Sequence, residues 1–165
     1  MKAVKIVIIS IGTLFVLGVI GLMYVGANSP ETYIYTENEI PEEYLEILDE
    51  LTPLNKNENV LFFYSDALFD IKDGIYALTD QRLIIYCQEW DDPEAIIEFD
   101  DIVNLNIEYD DSFLTDSFIT VETDYEMIVE FPVSSEKGRD KQFFQYLEQK
   151  VREAHSSIRD TTVVF

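Results

Sequence analysis

The sequence predicts an N-terminal transmembrane helix followed by one α+β domain, in which about seven short antiparallel strands precede a C-terminal amphipathic helix. Three observations predict it. Residues 6–25 carry no charge; β-rich stretches separated by polar turns run from Asn59 to Pro132; and Phe143, Phe144, Leu147 and Val151 recur at helical spacing. A length of 165 residues suits a single domain. With 47% of the residues apolar, there is material for a packed core.

The run Ile6 to Val25 follows Lys2 and Lys5. Twenty helical residues rise about 30 Å, the thickness of a bilayer's hydrocarbon. Two fates are open. The run is a permanent anchor, or a signal segment cut after Ala27, where Val25 and Ala27 offer the small residues a peptidase needs. An apolar stretch longer than the usual secretory core favours the anchor. The lysines before it, against a next basic residue at Lys56, place the N-terminus in the cytoplasm and the domain outside. A cytoplasmic domain and a cleaved, exported one are the alternatives.

Residues 28–54 read as an acidic linker and a short helix. Tyr33, Ile34 and Tyr35 are the only bulk before Ile40. Pro41, then Glu42 and Glu43, suit a helix N-terminus, and Tyr44, Leu45, Leu48 and Leu51 give helical spacing over 41–51. The expected strands are 60–64, 75–78, 83–86, 95–99, 103–109, 118–123 and 126–131. Thr79-Asp80-Gln81 and Asp124-Tyr125 turn two hairpins. Val103, Leu105, Ile107 and Tyr109 alternate with Asn104, Asn106 and Glu108, the pattern of a strand with one wet face. Ser134 or Ser135 caps the last helix, and 155–165 is a tail without period.

With 33 acidic and 11 basic residues the net charge is -22, which excludes an electrostatic nucleic-acid binder. The lone Cys87 excludes an internal disulfide and a cysteine zinc cluster, and its place at the end of an apolar strand reads as a packed thiol. His155, the sole imidazole, reads as a solvated helix-end residue, and there is no G-x-S-x-G elbow. Gly74 and Gly138 are too few for a phosphate cradle, so no cofactor is expected. The carboxylate pairs Asp91-Asp92, Asp100-Asp101 and Asp110-Asp111, with Asp116, read as a solvated acidic surface. A weak oxygen-ligated cation site in the strand loops is the alternative, since no D-x-D-x-D-G loop is present.

The stretch Gly74-Ile75-Tyr76-Ala77-Leu78-Thr79-Asp80-Gln81-Arg82-Leu83-Ile84-Ile85-Tyr86 resembles the "lTdxRliiy" hairpin of bacterial pleckstrin-homology-like domains and the related GRAM domains. Ile96 to Ile102 resembles the "i-pfddI" step after it. The resemblance covers residues 55–154. It implies two sheets packed nearly orthogonally with the C-terminal helix closing one end, and a fold that often binds peptides along a sheet edge or beside that helix. A phosphoinositide site is not implied, because Ser65 to Asp73 holds one Lys against Asp66, Asp70 and Asp73, which repel the headgroup. The reading is a membrane-tethered, non-catalytic binding or scaffold module for a protein partner, a basic one given the charge. Its candidate contacts are Trp90, Phe143 and Tyr146. A carboxylate-based envelope hydrolase using Asp100 or Asp111, and an accessory subunit of a membrane complex, are the alternatives.

Overall fold

The computed structural model describes residues 12–21, 23, 33–110 and 115–161, with side chains as far as Ser157. Residues 12–21 are helical with exposed side chains, and among the described residues no helix is long and apolar enough to cross a membrane. Residues 6–11, 22 and 24–25 of the predicted anchor lie outside the described residues, as does the 26–27 step.

The domain runs β1 (Tyr35–Thr36), α1 (Glu42–Leu51), β2 (Val60–Tyr64), β3 (Ile75–Thr79), β4 (Arg82–Tyr86), β5 (Glu94–Glu98), β6 (Ile102–Glu108), β7 (Ser117–Thr123), β8 (Ile128–Val133) and α2 (Arg139–Thr161). Strands β1 to β5 form one antiparallel sheet in sequence order, and β6 to β8 form a second. Every predicted strand is present. The fold adds β1, which pairs Tyr35 with Phe63 and Thr36 with Phe62.

That pairing corrects the linker reading of residues 33–40. Tyr35, Ile40 and Leu48 of α1 are buried with Phe63, Ile75, Ala77 and Ile84 on the outer face of the larger sheet. The opposite face carries Tyr64, Leu78, Leu83, Ile85 and Ile97. It packs with Ile119, Val121, Phe131, Phe143 and Leu147 into the main core between sheets and α2. Strands β3 and β4 are therefore covered on both faces, which is why they read as unbroken apolar runs. Strand β6, covered on one face, alternates.

Two boundaries moved for local reasons. Strand β8 starts at Ile128 because Glu126 takes φ 65° and the Thr123 hydroxyl accepts from Met127 N–H (3.0 Å), which widens the turn. The last helix starts at Arg139, because Lys137 and Gly138 both take a left-handed φ, at 61° and 67°. It continues to Thr161, through much of the predicted tail.

The described loops between strands fall at two ends. The upper end carries 65–74, 87–93, 109–110, 115–116 and the start of α2. The lower end carries 55–59, 80–81, 99–101 and 124–127.

Candidate functional site

Strand β6 is an outer strand. Among the described residues it pairs with β7 alone, and on its other side α2 approaches it through His155 at Ile102 and Phe144 at Tyr109. The ladder shows which of its backbone groups are committed. Asp124 N–H donates to the Asp101 carbonyl (2.9 Å) and Thr123 N–H to the Met127 carbonyl (2.9 Å), so Thr123 turns its own groups toward β8. Its partner Ile102 then turns away from β7. The Ile102 carbonyl accepts instead from Nε2 of His155 on α2, at 2.8 Å. An irregularity between Ile102 and Asn104 resets the register, after which alternation directs Asn104, Asn106 and Glu108 to β7 and leaves Leu105 and Ile107 pointing to the open edge.

The side chains around that edge are mixed. Leu105 and Ile107 are half-buried against the core, as are Phe144 and Val151 of α2. The Tyr109 ring meets Phe144 edge-on at 6.5 Å, and Lys141 Nζ lies 5.6 Å from the same ring. Burial, then Asp140 and Glu148, push the Tyr109 hydroxyl above its ordinary pKa. Val103 is exposed on the irregularity. Asp101 lies at the lower end, its carboxyl raised by burial and by Asp100 and Asp124; Glu108 and Asp110 lie at the upper end. The arrangement offers backbone donors and acceptors with no partner strand among the described residues, an apolar floor and acidic ends. It does not bring a nucleophile and a base together.

The predicted contacts are scattered. Trp90, exposed, sits on the β4–β5 loop at the upper end. Phe143 is fully buried, 5.7 Å from Phe62 and 6.2 Å from Phe131, so it is a core residue that a partner cannot touch. Tyr146 is half-buried, 5.8 Å from Phe62 with Lys150 Nζ over its ring. Both face β2, not β6. His155, expected in solvent, is half-buried on Ile102. The residues missed are Tyr109, Phe144 and His155. The wet-face alternation of 103–109 and the apolar Phe144–Val151 spacing were the signals for them.

Three acidic residues elsewhere are already engaged. The Tyr64 hydroxyl donates to Asp116 (2.6 Å) and the Tyr76 hydroxyl to Asp66 (3.2 Å). Burial raises the pKa of both tyrosines, and the neighbouring carboxylates add to it. Glu58 and Arg82 form a buried pair at 2.9 Å. Glu58 also lines a cleft of about 250 Å³ between α1 and β2, with Glu37, Leu45, Leu54, Asn59 and Val60. Asp100 is exposed and Asp111 lies outside the described residues. Among the described residues no group of three or more His, Cys, Asp or Glu is placed to hold a metal.

No protein-family model and no curated protein matches the chain. Solved structures do. A DUF1696-family protein with a pleckstrin-homology domain from Shewanella loihica PV-4 aligns with a TM-score of 0.51 at 12% identity, covering 73% of this chain and 99% of that one. A pleckstrin homology domain from Shewanella amazonensis SB2B aligns with a TM-score of 0.44 at 18% identity, over 62% of this chain and 86% of that one. The first likeness, with the two antiparallel sheets and the C-terminal helix, makes the fold pleckstrin-homology-like. At such identity it speaks for fold alone.

Proposed function

We propose that the chain is a membrane-tethered, non-catalytic binding module that takes up an extended basic segment of a protein partner along β6. The observation that carries this reading is the open edge. Leu105 and Ile107 point their backbone groups outward beside α2, where a peptide can add as a fourth strand. Acidic groups at both ends favour Lys and Arg in that peptide and speed its approach. The tether is the uncharged run 6–25, and the lysines ahead of it favour an extracytoplasmic domain. A peptide-binding module fits a pleckstrin-homology-like fold.

The test is a panel of extended peptides alternating Lys or Arg with Val or Thr, added to the isotope-labelled chain at low salt. Binding should shift the Leu105 and Ile107 amides and weaken with added salt. Binding that leaves 102–109 unshifted, or no binding across the panel, removes the reading.

A further inference from the structure

Three large apolar side chains at the upper end are left to solvent: Leu68 at 60% exposure, Phe69 at 63% and Trp90 at 39%. They sit on two loops that are tied together. Gln88 N–H donates to the Lys72 carbonyl (3.0 Å), the Cys87 thiol donates to the Asp73 carbonyl (3.0 Å), and Gln88 Nε2 donates to Asp73 Oδ1.

Leu68 and Phe69 are also held where they are. The Ser65 hydroxyl accepts from Ala67 N–H (3.2 Å), Asp66 is held by the Tyr76 hydroxyl, and Asp70 accepts from Lys72 N–H (3.1 Å) to start the short turn Ile71–Asp73. Gly74 makes room for this: a Cβ there would lie 2.0 Å from Asp66 Oδ1. The carboxylates flanking the Leu-Phe pair are thus turned to their own loop, and the pair forms its tip.

The chain enters the domain at the same end. Tyr35 pairs with Phe63 antiparallel, so the residues before it run past Tyr64 toward Ser65. That entry is pinned to α2: Arg139 donates to the Ile34 carbonyl and to Glu39 (2.7 Å), and Lys137 Nζ lies 3.6 Å above the Tyr33 ring. Between Val25 and Tyr33 stand seven residues, which cannot span more than about 28 Å even when fully extended.

We infer that Leu68, Phe69 and Trp90 form a membrane-contact surface on which the tethered domain rests, upper end toward the bilayer. The inference depends on the tether proposed above. A short leash attached at this end holds the three side chains close to the interface, and amphipathic and apolar rings settle at that depth. Recognition is apolar, with no headgroup specificity. Asp66, Asp70, Asp73, Glu89, Asp91 and Asp92 share these loops, so anionic lipid weakens the contact.

Trp90 is the sole tryptophan and reports directly. The full chain is reconstituted in phosphatidylcholine vesicles with either plain or dibrominated acyl chains, and flotation and tryptophan emission are measured. The expected result is flotation, with Trp90 emission quenched by the brominated chains. The quenching should fall in the L68S/F69S variant and fall again when phosphatidylglycerol is added at low salt. Flotation with equal emission in both vesicles overturns the contact and leaves the tether standing. A chain that stays at the bottom of the gradient overturns the tether and the contact with it. Quenching that appears only with a phosphoinositide means a headgroup site and overturns the apolar contact.

Discussion

The two sheets of this domain are built from similar residues and are used differently. The five-stranded sheet is enclosed: α1 and β1 cover one face, the main core covers the other, and β3 and β4 have nearly every side chain buried. The three-stranded sheet is half-open. Val103, Phe118 and Ile128 lie exposed, and one edge of β6 has no partner strand among the described residues. The enclosed sheet therefore holds the fold together, while the open sheet leaves apolar side chains and an edge exposed, which is what the peptide-addition proposal uses. The contrast can be tested by perturbing each side.

The largest effect is expected at Arg82. Its guanidinium holds Glu58 through Nε (2.9 Å) and a terminal nitrogen (3.0 Å), and it also donates to the Pro53 carbonyl (2.9 Å). Thr79 adds its hydroxyl to Glu58 (2.8 Å), and Asn55 N–H donates to the other carboxylate oxygen (2.7 Å). The cluster clasps the connection after α1 to the β3–β4 turn. Arg82→Ala leaves Glu58 buried and unpaired, and is expected to cost about 3–5 kcal/mol in chemical denaturation. A loss under about 1 kcal/mol would mean that water reaches Glu58 and that the lower end is not closed.

Next comes a matched pair of truncations. Leu48 is fully buried between α1 and the enclosed sheet, and Leu48→Ala is expected to cost about 2–5 kcal/mol. Ile128, 68% exposed on the open sheet, should change stability by no more than about 0.5 kcal/mol when cut to Ala. Equal losses in thermal melts would erase the contrast between the sheets.

Much of this division was legible in the residues. Unbroken apolar runs at 75–78 and 83–86 against alternation at 103–109 distinguish strands buried on both faces from a strand buried on one. The Thr79-Asp80-Gln81-Arg82 turn was readable too, since Thr79 accepts from Gln81 N–H (3.0 Å) and Arg82 N–H (2.9 Å). Its second task was not, because Glu58 lies more than twenty residues away. Strand β1 has two residues and no period to detect, although Tyr33, Ile34 and Tyr35 signalled bulk. Phe143 and Phe144 are adjacent on the helical stripe, and spacing alone does not say that Phe143 enters the core while Phe144 meets Tyr109. Whether a strand lies at an edge depends on the order of strands in space. For that reason the wet face of β6 could be read and its free side could not.

A smaller effect is expected in the response to acid. Burial by itself would raise the Glu58 carboxyl; the Arg82, Asn55 and Thr79 hydrogen bonds outweigh it and hold the group below 4.5. Glu39, bonded by Arg139 and Thr36, is lowered to about 2. Stability from these two is present above the unfolded value and lost as pH falls from about 4.5 through the folded values. Burial raises Asp66, Glu98 and Asp101, and nearby carboxylates add to it. Protonating these three favours the folded state, so stability should first rise as pH drops from neutral. A maximum in mild acid, with decline below about pH 4.5, is the expected profile. Monotonic loss from pH 7 downward would mean that the raised groups do not govern the neutral range.

The smallest effect is the most informative about the open sheet. His155 reaches from α2 to the Ile102 carbonyl at 2.8 Å, the point where β6 leaves its ladder with β7 at the lower end. His155→Ala frees that carbonyl at a half-buried site and should cost about 0.5–1.5 kcal/mol. The effect on exchange should be local. Amides of β3 and β4 should open only with global unfolding, whereas the last turns of α2 should exchange faster in the variant, and Leu105 and Ile107 should be fast in both forms because no described strand pairs with them. Protected Leu105 and Ile107 amides in the unliganded chain would mean that the edge is covered. The half-open character of the three-stranded sheet would then be lost, and the peptide-addition reading with it.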